Sequence, residues 1–163
     1  MPVSPVFHID VVAQAADIDQ LEHVSNQVYL RWVLEVAERH STAVGYDLPA
    51  YRQLGAVFVV RRHELDYLRP CYRDERIRVS TWVDSWRAAS TVRLTRIVRR
   101  VDPADGSPDH DDDDAGSVEL ARAKTVWAFV DMVSGRPTRI PAALREIFAG
   151  PATAADSTGG ADG

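Results

Sequence analysis

Cysteine and lysine are nearly absent from this sequence. Cys71 is the single cysteine among 163 residues, so an internal disulfide framework and a metal site built on several cysteines are both excluded. We expect this thiol, directly after Pro70, to be a small buried apolar group and not a reactive nucleophile. Lys124 is the single lysine, and no function follows from the preference for arginine.

The sequence also lacks an excess of positive charge and a long apolar run. Its formal net charge is −5, which gives no indication of a nucleic-acid binder held by bulk electrostatics. No stretch approaches the roughly 18–20 apolar residues of a membrane span, and residues 1–10 show no signal-peptide pattern. We therefore expect a soluble, cytoplasmic protein with neither a nucleic-acid nor a membrane partner.

The overall composition is that of one globular domain. With 45% hydrophobic and 26% charged residues, a chain of this length can bury a core of its own. We place the domain at residues 6–148, with a flexible acidic loop at 102–116 and a disordered tail at 150–163. The acids of Asp109–Asp114 are consecutive and lack the glycine-punctuated spacing of a calcium loop, so no metal is predicted.

Hydrophobic periodicity predicts one long helix, a short terminal helix and five strands. Residues 27–44 repeat apolar side chains at helical spacing, with Ser25 or Asn26 as the cap and Gly45 at the end. The predicted strands span 7–12, 56–67, 76–86, 90–101 and 118–132, and the terminal helix spans 142–148 after Pro141.

These elements predict an α+β fold. The four later strands follow one another with short turns such as residues 73–75, which favours antiparallel meander pairing. One long helix and one antiparallel sheet must bury each other's apolar faces. We expect a curved five-stranded antiparallel sheet wrapped around the long central helix, with a free edge near residues 57–62 that can pair with another chain.

Side chains that can carry chemistry are concentrated just before the long helix. Asp17, Asp19, His23 and Asn26 all lie within residues 17–26. The unpaired N–H groups of a helix start carry partial positive charge and can hold the oxyanion formed when a carbonyl is attacked. A nearby carboxylate can attack that carbonyl or activate a water. Acidic residues before a helix are also common caps, so composition alone leaves both roles open.

The pattern Asp17-x-Asp19-x-x-x-His23-Val24-x-Asn26-x-x-Tyr29 resembles the signature that opens the 4-hydroxybenzoyl-CoA thioesterase-like family of hotdog proteins. It is especially similar to the bacterial acyl-CoA thioesterase branch and to the second half of plant acyl-ACP thioesterases. The resemblance covers nearly all of residues 6–148 in order and spacing. It continues through His63–Pro70, Thr81–Val83 and Trp127–Ile140.

The resemblance implies a hotdog thioesterase site that uses no metal and no cofactor. Asp19 matches the family's catalytic carboxylate, acting as nucleophile or general base. The backbone N–H at Asn26 matches the group that polarises the thioester carbonyl, and His23 matches a histidine that would position substrate or water. Tyr29 matches an aromatic residue that packs near the site, and we place it among the substrate-binding residues.

Three positions depart from the family pattern. Glu22 replaces a glycine that many bacterial members carry, which is expected to alter the turn. Ser25 replaces the first asparagine of a pair. Leu21 stands where the plant enzymes have an asparagine, so their mechanism is not transferred whole.

The substrate contacts are expected on the second strand. Val59, with its neighbours Val57 and Phe58, would line an acyl tunnel, and core packing is the alternative for each of them. Arg61 and Arg62, and Arg69 at the end of this segment, would contact coenzyme A phosphates, and surface solubility is the alternative for each. The predicted substrate is an acyl-CoA or an acylated carrier protein. The resemblance implies a homodimer or homotetramer with the site between two chains.

The sequence leaves two other functions open. A hydratase or dehydratase of the same fold would hydrate an enoyl thioester without releasing free thiol. A non-catalytic acyl-CoA-binding protein would bind the thioester and release no thiol. This function stays open because a fold does not determine a function.

Overall fold

The computed structural model describes residues 4–100 and 116–150 of this chain. One long helix lies against a five-stranded antiparallel sheet, which confirms the predicted fold class. The strands are β1 (Phe7–Val12), β2 (Ala56–Tyr67), β3 (Arg76–Trp86), β4 (Ser90–Arg99) and β5 (Val118–Asp131). The helices are α1 (Asn26–Ala43), α2 (Leu48–Leu54) and α3 (Ala142–Ala149), and Ala15–Asp17 forms a single 3-10 turn.

Two predicted segments fall outside this description. The acidic loop at 102–116 and the tail at 150–163 lie beyond the described residues, apart from Gly116 and Gly150. Within the described ranges, no helix is long and apolar enough to cross a membrane.

The sheet is not a simple meander. Its order is β1–β3–β4–β5–β2, so β3, β4 and β5 form the predicted meander, but β2 pairs with β5. The prediction that all four later strands pair in succession was therefore wrong for β2. The side of β3 that β2 would need is taken by β1, through pairs such as Ile9↔Val79. Both β1 and β2 are edge strands of the sheet, which confirms the predicted sheet edge at residues 57–62.

Helix α1 is defined by local signals at both ends. Ser25 is its N-cap, with Oγ accepting from the N–H of Gln27 at 3.3 Å, and Gly45 follows its end with φ +93°. One face of the helix is buried against β1 and β3, and each large apolar side chain on it contributes about 1.5–3 kcal/mol. Its buried residues are Val28, Tyr29, Trp32, Val33, Val36, Ala37 and His40.

The core continues from α1 into the sheet. Trp32 and Val36 pack in one cluster with Ile77 and Ile97 of the inner strand faces. Cys71 is fully buried in the same cluster, as predicted, and burial raises the pKa of its thiol to about 12.

A second helix, α2, lies between α1 and β2, where the hydrophobic periodicity predicts no element. α2 is only 7 residues long, too short to show a periodic pattern. Its end signals are nevertheless present. The Asp47 carboxylate accepts from the N–H of Ala50 at 2.9 Å, Pro49 sits in the first turn, and Gly55 closes the helix with φ +77°.

The inner face of β4 is largely polar. The apolar alternation at Val92 and Leu94 suggests that these two residues face the core, yet both are only half-buried, on the opposite face. Thr81 of β3 donates to the Leu94 carbonyl at 2.9 Å, and Thr95 lies 3.2 Å from Thr81. The residues of β4 that face α1 are Thr91, Arg93, Thr95 and Ile97.

Candidate active site

The segment that leads into α1 forms a small closed turn. Ile18 and Val24 make an isolated antiparallel bridge, and the N–H of Asp19 donates to the His23 carbonyl at 2.9 Å. The N–H of Glu22 donates back to the Asp19 carbonyl at 3.0 Å, with φ +62° at Glu22. A non-glycine residue in the left-handed region is strained, so Glu22 holds a conformation that glycine would adopt without a Cβ penalty.

The Asp19 side chain is exposed at the start of this turn. Its Oδ1 accepts from the N–H of Leu21 at 2.9 Å. Among the described residues, Oδ2 has no hydrogen-bond partner. One oxygen therefore orients the carboxylate while the other is free to contact a substrate or a water.

Asp17 has a different environment. It is buried, and its Oδ2 accepts from the N–H of Gln14 at 2.9 Å while Oδ1 pairs with Arg31 at 2.7 Å. Burial alone would raise the pKa of Asp17, but the hydrogen bonds from Gln14 and Arg31 outweigh it and lower the pKa. The Asp17 carbonyl also accepts from the N–H of Ser25 at 2.9 Å. Asp17 thus ties the turn to the start of α1.

The start of α1 presents an unpaired backbone donor. Asn26 is its first residue, and its N–H has no hydrogen-bond partner among the described residues. The first turn of α1 holds no acidic side chain, so nothing in that turn cancels the partial positive charge of the helix start. On the other side, the Asn26 carbonyl accepts from the Tyr67 hydroxyl at 3.3 Å, which attaches the end of β2 to this point.

His23 and Tyr29 lie close to the turn in different settings. His23 is half-buried, and its ring packs edge-on against Tyr72 at 5.3 Å. Tyr29 is buried in the core, with edge-on contacts to Trp32 and Tyr67 at 5.6 and 5.4 Å, and burial raises its pKa to about 12. In this single chain Tyr29 is a packing residue that supports Tyr67.

The other predicted substrate residues lie in the middle of β2, an edge strand. Val59 is half-buried opposite Ala128 of β5, and Arg62 is exposed and pairs with Glu64 at 2.8 Å. Arg61 is the extra residue of a bulge between Val60 and Arg62, where the β2–β5 register shifts. Asp19, His23 and Asn26 thus lie in the one segment that leads into α1, whereas Val59, Arg61 and Arg62 lie on β2.

An apolar cavity of about 380 Å³ lies at the other end of α1. Val57 and Phe58, predicted to line an acyl tunnel, are among its walls, whereas Val59 is not. Arg93 is also a wall residue of this cavity and is not among the predicted site residues. The alternation of Val92 and Leu94 favours the opposite face of β4 as the buried one. The available signal was the β-branched Thr91, Thr95 and Ile97 at the same parity as Arg93.

No metal centre accompanies these groups in the described ranges, where no cluster of three or more histidine, cysteine, aspartate or glutamate side chains occurs. A carboxylate beside an unpaired helix N–H is suited to chemistry at an activated carbonyl.

Comparisons with known proteins agree with the predicted fold. Three solved structures illustrate this. A candidate oleoyl thioesterase from Lactobacillus plantarum has a TM-score of 0.74 at 16% identity, over 89% of this chain and 50% of that one. A 1,4-dihydroxy-2-naphthoyl-CoA thioesterase from Synechocystis has a TM-score of 0.72 at 16% identity, over 90% and 98%. An aspartate-to-asparagine mutant of 4-hydroxybenzoyl-CoA thioesterase, bound to 4-hydroxybenzoyl-CoA, has a TM-score of 0.73 at 18% identity, over 88% and 98%.

These identities establish the fold only, and this chain spans half the length of the Lactobacillus protein. No curated protein sequence matches the chain significantly. The family model of the thioesterase-like superfamily, however, matches residues 13–148, which include the whole turn, α1 and all strands except β1. The chain is therefore a member of the thioesterase-like superfamily with a hotdog fold.

Proposed function

We propose that this chain hydrolyses acyl thioesters of coenzyme A or of an acyl carrier protein. The observation that carries the proposal is that Asp19 and Asn26 stand at the two ends of one short segment before α1 and that each keeps an unused hydrogen-bonding group. Asp19 offers an exposed carboxylate oxygen, and Asn26 offers a backbone N–H with no partner in the described residues.

Asn26, Asp19 and His23 act at different points of the reaction. The thioester carbonyl accepts from the Asn26 N–H, and the positive end of the 18-residue α1 stabilises the oxyanion that develops there. Asp19 either takes a proton from the attacking water or attacks the carbonyl itself. The C–S bond then breaks, the thiolate leaves and takes up a proton, and water supplies the new oxygen of the carboxylic acid. His23 positions the substrate or the water.

The proposed assembly is a homodimer, or a tetramer built from such dimers, paired through β2. Val57 and Phe58, near the start of β2, line the cavity, and the last residue of β2, Tyr67, contacts Asn26. Antiparallel pairing of two β2 edges places the cavity end of one chain beside the Asn26 end of its partner. An acyl group in one chain's cavity then faces the partner's carboxylate. Arg61 and Arg62, in the middle of β2, would contact the phosphates of coenzyme A there.

The decisive experiment replaces Asp19 by asparagine and measures single-turnover release of free thiol across a panel of acyl-CoAs. Asn keeps the shape and still accepts from the Leu21 N–H, so the melting temperature should change little. Thiol release should fall by about 10²-fold or more, the usual scale for loss of a general base or nucleophile. Substrate affinity should persist.

Asp17→Asn is the matched control from the same turn. Its loss of the Arg31 ion pair should lower stability, while thiol release per folded molecule falls much less than in Asp19→Asn. Near-normal turnover in Asp19→Asn would refute the assignment of the carboxylate. Acyl-CoA binding without thiol release in wild type would show a binding protein, and hydration of an enoyl thioester without thiol release would show a hydratase.

A further inference from the structure

The cavity at the end of α1 far from Asn26 is bounded by three helices and the inner sheet face. Its volume of about 380 Å³ is in the range of small-molecule sites. Most of its wall is aromatic or aliphatic, which favours an apolar ligand body. These wall side chains include Tyr51, Phe58, Trp86 and Phe148.

One wall residue is a buried cation. Arg93 is 6% exposed, and no carboxylate of the described residues lies within 4.0 Å of its guanidinium. Burial lowers the pKa of Arg93 to about 10, which leaves the group protonated at neutral pH. A buried charge without a counter-ion is costly to a folded protein, so an unpaired arginine in a cavity wall needs an explanation.

The neighbours of Arg93 orient it without neutralising it. Its Nη1 donates to His40 Nδ1 at 2.9 Å and lies 3.4 Å from Thr81 Oγ1. His40 is neutral near pH 7 because burial, followed by the charge of Arg93, lowers its pKa to about 4. The ring of Phe148 lies 5.6 Å from the guanidinium carbon. Within the described residues, Nε and Nη2 of Arg93 make no hydrogen bond and remain available to a ligand.

A second donor of the same wall also lacks an acceptor. The indole N–H of Trp127 is buried and has no hydrogen-bond partner among the described residues. Trp127 pairs with Thr91 in the β4–β5 register, two residues along the inner face from Arg93. The cation of the wall, Arg93, keeps two unused donor nitrogens, which match a ligand with acceptor oxygens.

The acidic groups of the cavity lie at its rim. Glu38 and Asp47 are both exposed, and the Asp47 carboxylate is already occupied as the cap of α2. Water screens exposed charges far more than buried ones, so the field deep in the cavity is dominated by Arg93.

We propose that the cavity selects acyl groups whose far end carries a carboxylate, which pairs with Arg93 while the apolar body contacts Tyr51, Phe58 and Trp86. This substrate class rests on the proposed thioesterase function, but the cavity itself can be tested without catalysis. In the occupied site the ligand carboxylate becomes the counter-ion that Arg93 lacks in the described chain.

The first experiment measures binding of octanoate and of its neutral isostere octanamide to wild-type protein by calorimetry. Octanoate should bind at least about tenfold more tightly, since hydrogen bonds between charged groups have about this effect or more. Arg93→Met should lose that preference. Arg96→Met, on the opposite face of β4, is the matched control and should retain it. Equal binding of octanoate and octanamide to the wild type would overturn the proposal without any variant.

The second experiment compares the kcat/KM for octanedioyl-CoA with that for octanoyl-CoA. Wild type should prefer octanedioyl-CoA by about tenfold or more, and Arg93→Met should remove the preference chiefly through KM. A purely structural arginine would instead change both substrates equally. If no acyl-CoA is hydrolysed but octanoate still binds more tightly than octanamide through Arg93, the thioesterase proposal fails and the cavity proposal survives.

Discussion

The pH dependence of stability gives a quantitative test of the buried contact between His40 and Arg93. His40 is 4% exposed, its ring stacks on Phe7 at 5.0 Å, and its Nδ1 accepts from Arg93. Protonation at Nδ1 would remove that acceptor and place a second positive charge against the guanidinium. The perturbation to apply is therefore acid, from pH 7.5 to pH 5.

The sign and size follow from the two states of His40. Burial, and then the charge of Arg93, lower its pKa from 6.5 to about 4 in the folded protein. Between pH 6.5 and about pH 4, His40 is protonated in the unfolded chain and neutral in the folded chain. The free energy of unfolding therefore falls as the pH falls through this window. At pH 5 the loss from His40 is about 2 kcal/mol relative to pH 7.5.

Other groups act in the same direction. Burial also lowers the pKa of His63, so it adds to the loss in the same window. The lowered pKa values of Asp10 and Asp17 have their effect mainly as the pH falls below their ordinary value of 3.8. A variant is therefore needed to separate the contribution of His40.

The assay is urea unfolding of wild type and His40→Gln at both pH values and at one protein concentration. His40→Gln should be less stable at pH 7.5, but its loss between pH 7.5 and pH 5 should be smaller by about 2 kcal/mol. His8→Gln, at an exposed position of β1, is the control for removing a histidine. An unchanged pH dependence in His40→Gln would refute a neutral, buried His40.

Two further changes test the turn and the edge strand. Glu22→Gly should raise the free energy of unfolding by about 0.5–1 kcal/mol, because glycine adopts φ +62° without a Cβ penalty. Thermal melting measures this, and Glu22→Ala, which keeps the Cβ, should show no such gain. Val59→Lys should convert the proposed oligomer to monomers in sedimentation experiments and reduce thiol release, because a charge on an edge strand opposes pairing. Leu21→Lys, in an exposed position of the turn, should leave the assembly intact.

The turn and α1 were predictable because their determinants are local. Ser25 caps α1 from the preceding position, and Gly45 supplies the left-handed residue that ends it. The spacing from Asp19 to Asn26 spans one turn, so sequence separation translates directly into spatial proximity. Helix α2 was not predicted because it is too short to show a hydrophobic period, although its end signals, Asp47, Pro49 and Gly55, are present in the sequence.

The sequence by itself determined the helix and strand content, the position of the carboxylate before α1, and the resemblance to a thioesterase family. Only the tertiary structure decided that β2 pairs with β5, that Asp17 is held by Arg31, and that Arg93 and His40 meet inside the core. Those outcomes depend on strand register between segments far apart in the chain. Because a strand presents alternate residues to opposite faces, register decides whether Val92 or Arg93 points at the helix, and the local patterns of β4 favour opposite answers.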